Sequence, residues 1–165
     1  MVEAAKSQFS ASETIGALLA RNASSYGSNI AIREKERGIW KETTWAEYAE
    51  EVLACAAGLE KIGVKPGKAV LILGDNRARL YAGMLAISLL GAYAMPAYPG
   101  ATIEELQHFL SEVEIVAAIA EDQEQVDKVL ELRSASASGI AHIIYDETRG
   151  LSFYEDDGLM SWDHL

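Results

Sequence analysis

The chain has 165 residues, half of them apolar, and a formal net charge of −11 from 25 acidic and 14 basic side chains. This composition suits a folded domain with a real core and excludes wholesale disorder. Such an acidic surface disfavours nucleic-acid backbones and anionic membranes as general partners, and no apolar run approaches the ~20 residues that span a bilayer.

The opening residues, MVEAAKSQFS, are polar and do not read as a secretion signal. Ser12, Glu13 and Thr14 introduce a predicted first helix reaching about Asn22, with Ile15, Leu18 and Leu19 on one side. Residues Asn22–Asn29, rich in Asn, Ser and Gly, read as a connection. Ala31–Arg33 and Gly38–Trp40 then flank Glu34–Arg37, the pattern of a small antiparallel hairpin turning through charged residues.

Thr44 with Glu47 three positions later is a capping-box spacing. Behind it Trp45, Tyr48, Ala49, Val52, Leu53, Ala56, Leu59 and Ile62 repeat with helical period. Gly58 on this helix suits close approach to a sheet, and Gly63 with Pro66 and Gly67 ends it. Ala69–Leu73, AVLIL, is the short continuous apolar run of a parallel strand covered on both faces. Gly74 and Asp75 supply turn chemistry, and Asn76 is placed to cap a helix from about Arg77 to Leu90. Gly91 stops that helix, and Tyr93–Pro96 reads as the next strand, completing a strand–helix–strand unit with an expected right-handed crossover.

Thr102 and Glu105 repeat the capping-box spacing before a helix whose inward side is Leu106, Phe109 and Leu110. Ile115–Ala120 is a further strand, and Gln123–Leu132 a helix with Val126, Val129 and Leu130 facing inward. The loop RSASASG leads to a last strand over Ile140–Tyr145. Asp146–Gly158 is polar and acidic, with Leu151, Phe153 and Tyr154 as intermittent anchors. Ser161–Leu165 looks like a helix start. The fold class read from this order is α/β: a mostly parallel sheet, flanking helices and one antiparallel hairpin.

Several residues invite a chemical reading, and each has a plainer alternative that the sequence favours. Asp75 sits at a strand end, where catalytic acids occur, but a turn or cap role fits better. Arg77 and Arg79 suit an anion, but terminating an apolar surface or pairing with nearby carboxylates is the plainer reading. Lys61, Lys65 and Lys68 form the one basic cluster, read as lysines near a helix C-terminus rather than a phosphate site. Cys55, the single cysteine, allows no intrachain disulfide and reads as a small buried residue in a reducing, cytoplasmic setting. His108 lacks a second ligand at metal spacing. Glu155, Asp156, Asp157 and Asp163 lack the spacing and glycine of a calcium loop, so a solvated connector is expected. Tyr98–Gly100 follows a strand end and could line a cavity, with a structural role preferred. The loops GxxxxGK[ST], GxGxxG and GxSxG and any CxxC pair are missing. On the residues alone, no catalytic residue and no metal ligand is assigned, and cofactor-binding residues stay undefined.

One resemblance goes further. The segments TTWAEYAEEVLACAAGL, GVKPGKAVLILGDNRARLYAGMLAISLLGAYAMPAYPG and TIEELQHFLSEVEIVAAIAED occur in the order found in the N-terminal portion of AMP-forming acyl-CoA synthetases, the adenylate-forming ligase superfamily. AIREKERGIWKETTW upstream and GLSFYEDDGLMSWDHL downstream resemble the long-chain fatty-acid–CoA ligase branch. One departure is local: where many relatives place an acidic residue and a tryptophan after the asparagine–arginine pair, this chain has Arg79 and Leu80. The resemblance implies that residues 1–165 form one α/β segment, incomplete as the large N-terminal domain of such a ligase, with 146–165 an acidic connector into a further helix. It implies a parent enzyme that uses ATP, coenzyme A and Mg²⁺ to activate a fatty acid through an acyl-adenylate, cytoplasmic or peripheral to a membrane. The family's phosphate-binding loop and catalytic lysine have no counterpart here. The segment alone is therefore expected to be inactive, to bind none of these cofactors, to partner the remainder of the ligase, and to self-associate through exposed apolar surface. An independent nucleotide-binding module and a noncatalytic scaffold remain the competing readings.

Overall fold

A computed structural model of the chain describes residues 14–135 and 139–165, and the side chains of all of these except 109–112. The residues before Thr14, the loop at 136–138, and the inward placement expected for Phe109 and Leu110 lie outside that description. The chain divides into two compact units, residues 1–50 and 51–165.

In the first unit, helix α1 spans Ile15–Tyr26, and the Thr14 hydroxyl accepts a hydrogen bond from the Ala17 amide at 3.2 Å. The helix runs a full turn beyond the expected end at Asn22. Asn and Ser cost only about half a kcal/mol each in a helix interior, and no proline interrupts them. Of its expected inward residues Leu19 is buried, whereas Ile15 stands exposed. Strands β1 (Ile30–Glu36) and β2 (Ile39–Thr44) pair antiparallel, as expected. Their turn is tighter than predicted. Arg37 and Gly38, with φ of 49° and 84°, reverse the chain by themselves, as a type I′ hairpin requires. Glu34–Glu36 remain in the strand because their charges have partners across it: Arg33 faces Glu42 in a 2.7 Å ion pair, and Glu34 faces Lys41.

Helix α2 (Trp45–Lys61) begins in the first unit and continues into the second. Its capping box forms as predicted: the Thr44 amide donates to Glu47 Oε2 at 2.9 Å, and the Glu47 amide donates to Thr44 Oγ1 at 3.3 Å. The Thr44 amide, helped by the Thr44 hydroxyl donating to Glu47 Oε2 at 2.8 Å, holds the Glu47 carboxyl below its usual pKa. Tyr48, Ala49, Val52, Cys55, Ala56 and Leu59 are buried; Leu53, expected among them, lies off the stripe and is exposed. Gly58 does give close approach, though to a different neighbour: an added Cβ would lie 2.5 Å from Leu165 Cγ.

The second unit is built on a parallel sheet of strands β3 (Ala69–Leu73), β4 (Tyr93–Ala97), β5 (Ile115–Ala120), β6 (His142–Tyr145) and β7 (Leu159–Ser161), in the order β4-β3-β5-β6-β7. All five residues of β3 are buried, as its unbroken apolar run implies. Helices α3 (Ala78–Leu89), α4 (Ile103–Glu112) and α5 (Gln123–Ala135) connect the strands. One face of the sheet carries a core of Leu71, Leu73, Ala118 and Ile143 with Leu106, Val129, Leu132 and Leu151. On α3, a Cβ added to Gly83 would meet Ile119 Cδ1 at 2.7 Å, so the helix backbone lies directly on the sheet.

The expected elements otherwise need four adjustments. Asn76 does not cap α3. Arg77 is the extended residue before the helix and makes no side-chain cap bond, while Asn76 Oδ1 accepts from the Tyr81 hydroxyl at 2.9 Å. The Thr102–Glu105 box of α4 does form, with bonds of 2.9 and 3.3 Å. Strand β7 was not anticipated: three residues in an acidic stretch carry too little periodicity to reveal a strand. The helix start expected at Ser161 is a single 3₁₀ turn, Trp162–His164. Of the anchors after Tyr145, Leu151 is buried but Phe153 is 92% exposed.

Strand β4 closes one edge of the sheet. Its Tyr93 amide donates to Lys68 O at 2.8 Å, which turns residues 93, 95 and 97 toward β3 and Ala94 and Pro96 outward. A proline at an outward position removes a donor from the open edge and blunts it against further pairing. Replacing the cap residue of α2, Thr44→Ala, is expected to cost about 1 kcal/mol, read as a lower urea midpoint with unchanged slope.

Candidate functional site

In a parallel α/β sheet, ligands approach the carboxyl ends of the strands where successive connections diverge. Here that switch point lies between β3 and β5, because the chain steps from β3 outward to β4 and then returns past β3 to β5. The loops that meet there are Gly74–Arg77 after β3 and Glu121–Asp122 after β5.

Glu121 fills the crevice. Its amide donates to Leu73 O at 2.9 Å, anchoring it beside β3. Its carboxylate accepts from the Asp75 amide at 2.5 Å and from Arg77 Nε at 2.7 Å. Only 14% of the Glu121 side chain is exposed. Gly74, with φ of 156°, is what admits it: a Cβ there would lie 2.5 Å from Glu121 Cβ and 2.8 Å from Leu80 Cδ2. The loop after β6 joins the same network, since the Asp146 amide donates to Ala120 O and the Glu147 amide to Glu121 O, at 3.1 and 2.7 Å.

Arg79, in the first turn of α3, forms a second node. Its guanidinium reaches Glu51 at 3.2 Å, Asp146 at 2.9 Å and Asp163 at 2.7 Å, and lies 5.7 Å from the Trp162 ring centroid. Partial burial works against its charge. The hydrogen bond and charge of Asp146, with Asp163, outweigh that cost and raise its pKa. Together these groups make the carboxyl edge acidic and internally paired. Among the described residues, the Asp75 amide and the Arg77 and Arg79 side chains at this edge are bonded to carboxylates, and Glu121 stands where an anion would have to enter.

The other residues singled out in the sequence are dispersed. Asp75 is exposed at the turn and contributes its amide to the Glu121 latch. Arg77 and Arg79 pair with carboxylates, the plainer of the two readings given for them. Of the three lysines, Lys68 ion-pairs with Glu114, and Lys65 lies in the turn where its carbonyl accepts the Lys68 amide at 3.1 Å. Cys55 is buried, and burial together with the charge of Glu51 pushes its thiol up to about 12, far from a reactive thiolate. His108 is exposed on α4. Tyr98 is exposed, and Lys128 Nζ donates to Pro99 O, tying that loop to α5.

The acidic stretch is parted rather than gathered. Asp156 pairs with Arg133 and accepts the Gly158 amide at 2.9 Å, while Asp163 belongs to Arg79. Asp156 is thus a half-buried structural group and not the solvated connector residue expected. No group of three or more His, Cys, Asp or Glu side chains among the described residues is arranged to hold a metal ion. Glu121 and Asp146 are the residues that sequence reasoning missed. Their signal was position: each directly follows a strand, the point from which a carboxylate reaches the loops of neighbouring strands.

These features define an open parallel α/β unit whose switch-point crevice is sealed by its own carboxylate. Across residues 19–162 the chain matches the family model described as AMP-binding enzyme, and it belongs to that family. It is similar to a long-chain-fatty-acid–CoA ligase, FadD15, of Mycobacterium tuberculosis, at 31% identity over 65% of this chain and 18% of that protein. Among solved structures it resembles the acetoacetyl-CoA synthetase of Streptomyces lividans, with TM-score 0.79 and 23% identity over 91% of this chain and 24% of the other. The anthranilate CoA ligase AuaEII, solved with anthranoyl-AMP, has the same TM-score at 19% identity, covering 96% of this chain and 28% of its own. The chain thus spans 18% to 28% of the length of these relatives.

Two stability tests follow from the ion pairs. Arg79→Met strands three carboxylates without their shared cation and is expected to cost about 2 kcal/mol, hydrogen bonds to charged groups being discounted for partial exposure; thermal unfolding reads it. The hydrogen bond from Arg133, against some burial and aided by the Gly158 amide, lowers the pKa of Asp156. A carboxyl whose folded pKa is depressed stabilises fully above its unfolded value, about 3.9, and less as pH falls through the folded value. The stability gap between the parent chain and Asp156→Asn is therefore expected to hold steady from neutral pH to about 5 and to close below about 4.

Proposed function

We propose that this chain is the opening α/β segment of the large domain of an AMP-forming fatty-acid–CoA ligase. The observation that carries the reading is the family match over residues 19–162. The named activity of the FadD15 relative and the acyl-adenylate in the AuaEII structure favour carboxylate activation within that family. In the proposed reaction of the whole ligase, a fatty-acid carboxylate oxygen bonds to the α-phosphorus of ATP as pyrophosphate leaves, and the coenzyme A sulfur then takes the acyl group as AMP leaves.

The residues of this chain do not fit a nucleotide–Mg²⁺ site. A phosphoryl-transfer centre needs cationic groups, free amides and a metal directed at developing negative charge. At the switch point the Asp75 amide and the Arg77 guanidinium are already bonded to the Glu121 carboxylate. No catalytic step is therefore assigned to these residues. Their role in the proposed ligase is to form one wall of the large domain, with residues 1–165 as one α/β segment and 146–165 leading onward.

Two measurements test this. The purified chain is expected to show no fatty-acid-dependent pyrophosphate release; release above the no-acid control would contradict the structural role. Exchanging this chain for the matching segment of the FadD15 ligase is expected to leave a folded enzyme that still forms acyl-CoA. A folded but inactive chimera would overturn the assignment.

A further inference from the structure

The tip of the β1–β2 hairpin combines features that neither the core nor the carboxyl edge of the sheet uses. Ile39 and Trp40 are 70% and 58% exposed, directly after the Arg37–Gly38 turn. They are paired across the ribbon with Glu36 and Lys35. Neighbouring residues of a strand point to opposite faces, so the two apolar side chains project on both sides of one apex. A flat protein surface would cover only one of them. A medium that surrounds the tip would cover both.

The charges around this apex run against those of the whole chain. Lys35, Arg37 and Lys41 outnumber Glu36 within residues 35–41, in a chain of net charge −11. Lys35 Nζ lies 5.8 Å from the Trp40 ring centroid, and Lys41 pairs with Glu36. Of the two remaining carboxylates of the ribbon, Glu34 lies directly opposite Lys41 and Glu42 lies opposite Arg33, one residue further from the apex, so the end of the ribbon through Lys41 carries three cations against two carboxylates. The ribbon is six to seven residues long, which places the tip roughly 20 Å from the far ends of its strands. With charge effects screened over about 8 Å at physiological salt, the apex keeps a small positive excess within a chain of net charge −11.

We propose that this tip docks on an anionic lipid surface, Ile39 and Trp40 entering the boundary between headgroups and acyl chains while Lys35, Arg37 and Lys41 meet lipid phosphates. Tryptophan favours that boundary, a guanidinium binds phosphate in bidentate fashion, and lysine stems bury while their ammonium groups stay wet. Docking is end-on and shallow, consistent with the lack of any described helix long and apolar enough to cross a membrane. This inference stands on the hairpin alone and does not depend on the proposed ligase activity.

The test is co-sedimentation of the 165-residue chain with vesicles of phosphatidylcholine, with and without phosphatidylserine. Binding is expected to the serine-containing vesicles only, and to fall with added salt. Replacing the three tip cations together, K35Q/R37Q/K41Q, is expected to weaken it by about a hundredfold, each cation near such a surface contributing about 1 kcal/mol. I39S/W40S is expected to weaken it at least about tenfold through lost apolar burial. Circular dichroism checks that both variants fold. As an internal control, Trp40→Phe should retain binding but lose the fluorescence quenching by brominated lipids seen in the parent chain. No binding, binding indifferent to lipid charge, or binding unchanged in both folded variants would overturn the proposal. So would a tip-dependent assembly of the chain in the absence of lipid, which would make the surface a protein contact.

Discussion

Burial of β3 on both faces and along both edges is the constraint on which the larger unit depends. Its five residues Ala69–Leu73 have no polar side chain and no exposed surface, so the strand is stable only with β4 and β5 hydrogen-bonded on either side and helices above and below. That requirement explains the small residues around it. Ala82, Gly83 and Ala86 on α3, and Ala117, Ala118 and Ala120 on β5, bring helix and strand backbones close to the sheet. It also explains why the apolar run is short: five residues are enough to cross the core, and Gly74 must then turn.

At the end of that strand, electrostatics takes over from packing. Glu121 holds the Asp75 amide and Arg77, and Arg79 gathers Glu51, Asp146 and Asp163. The position that most often accepts a ligand in this architecture is occupied by a partly buried, paired carboxylate. The same residues that resemble an active site by their location at a strand end act as clamps between loops. The internally paired edge ties the loops after β3, β5 and β6 to one another.

How far these features could be read from residues alone depended on the range of the interaction. Ala69–Leu73 and Ile115–Ala120 match the expected strands residue for residue, and both threonine–glutamate boxes form, because run length and capping are local properties. The Asn76 cap failed because a competing local bond wins: its side chain accepts from the Tyr81 hydroxyl five residues on, and Arg77 takes the position before the helix. Leu53 and Ile15 look like core residues by type, yet they stand exposed among the described residues. Strand β7 exists because β6 offers it a partner, a fact invisible in Leu159–Ser161 itself. The carboxylate latch was the least legible feature, since Glu121 and Gly74 lie far apart in sequence and only their pairing reveals why one must be a glycine.

The account's central claim is that the carboxyl edge of this sheet is a closed structural latch. Titration of the folded chain with ATP by calorimetry, alongside Glu121→Gln, addresses it most directly. No saturable binding to the parent chain is predicted, with a lower thermal midpoint for the variant as the loop contacts weaken. Saturable ATP binding to the parent chain at micromolar concentrations, with stability unaffected by Glu121→Gln, would contradict it.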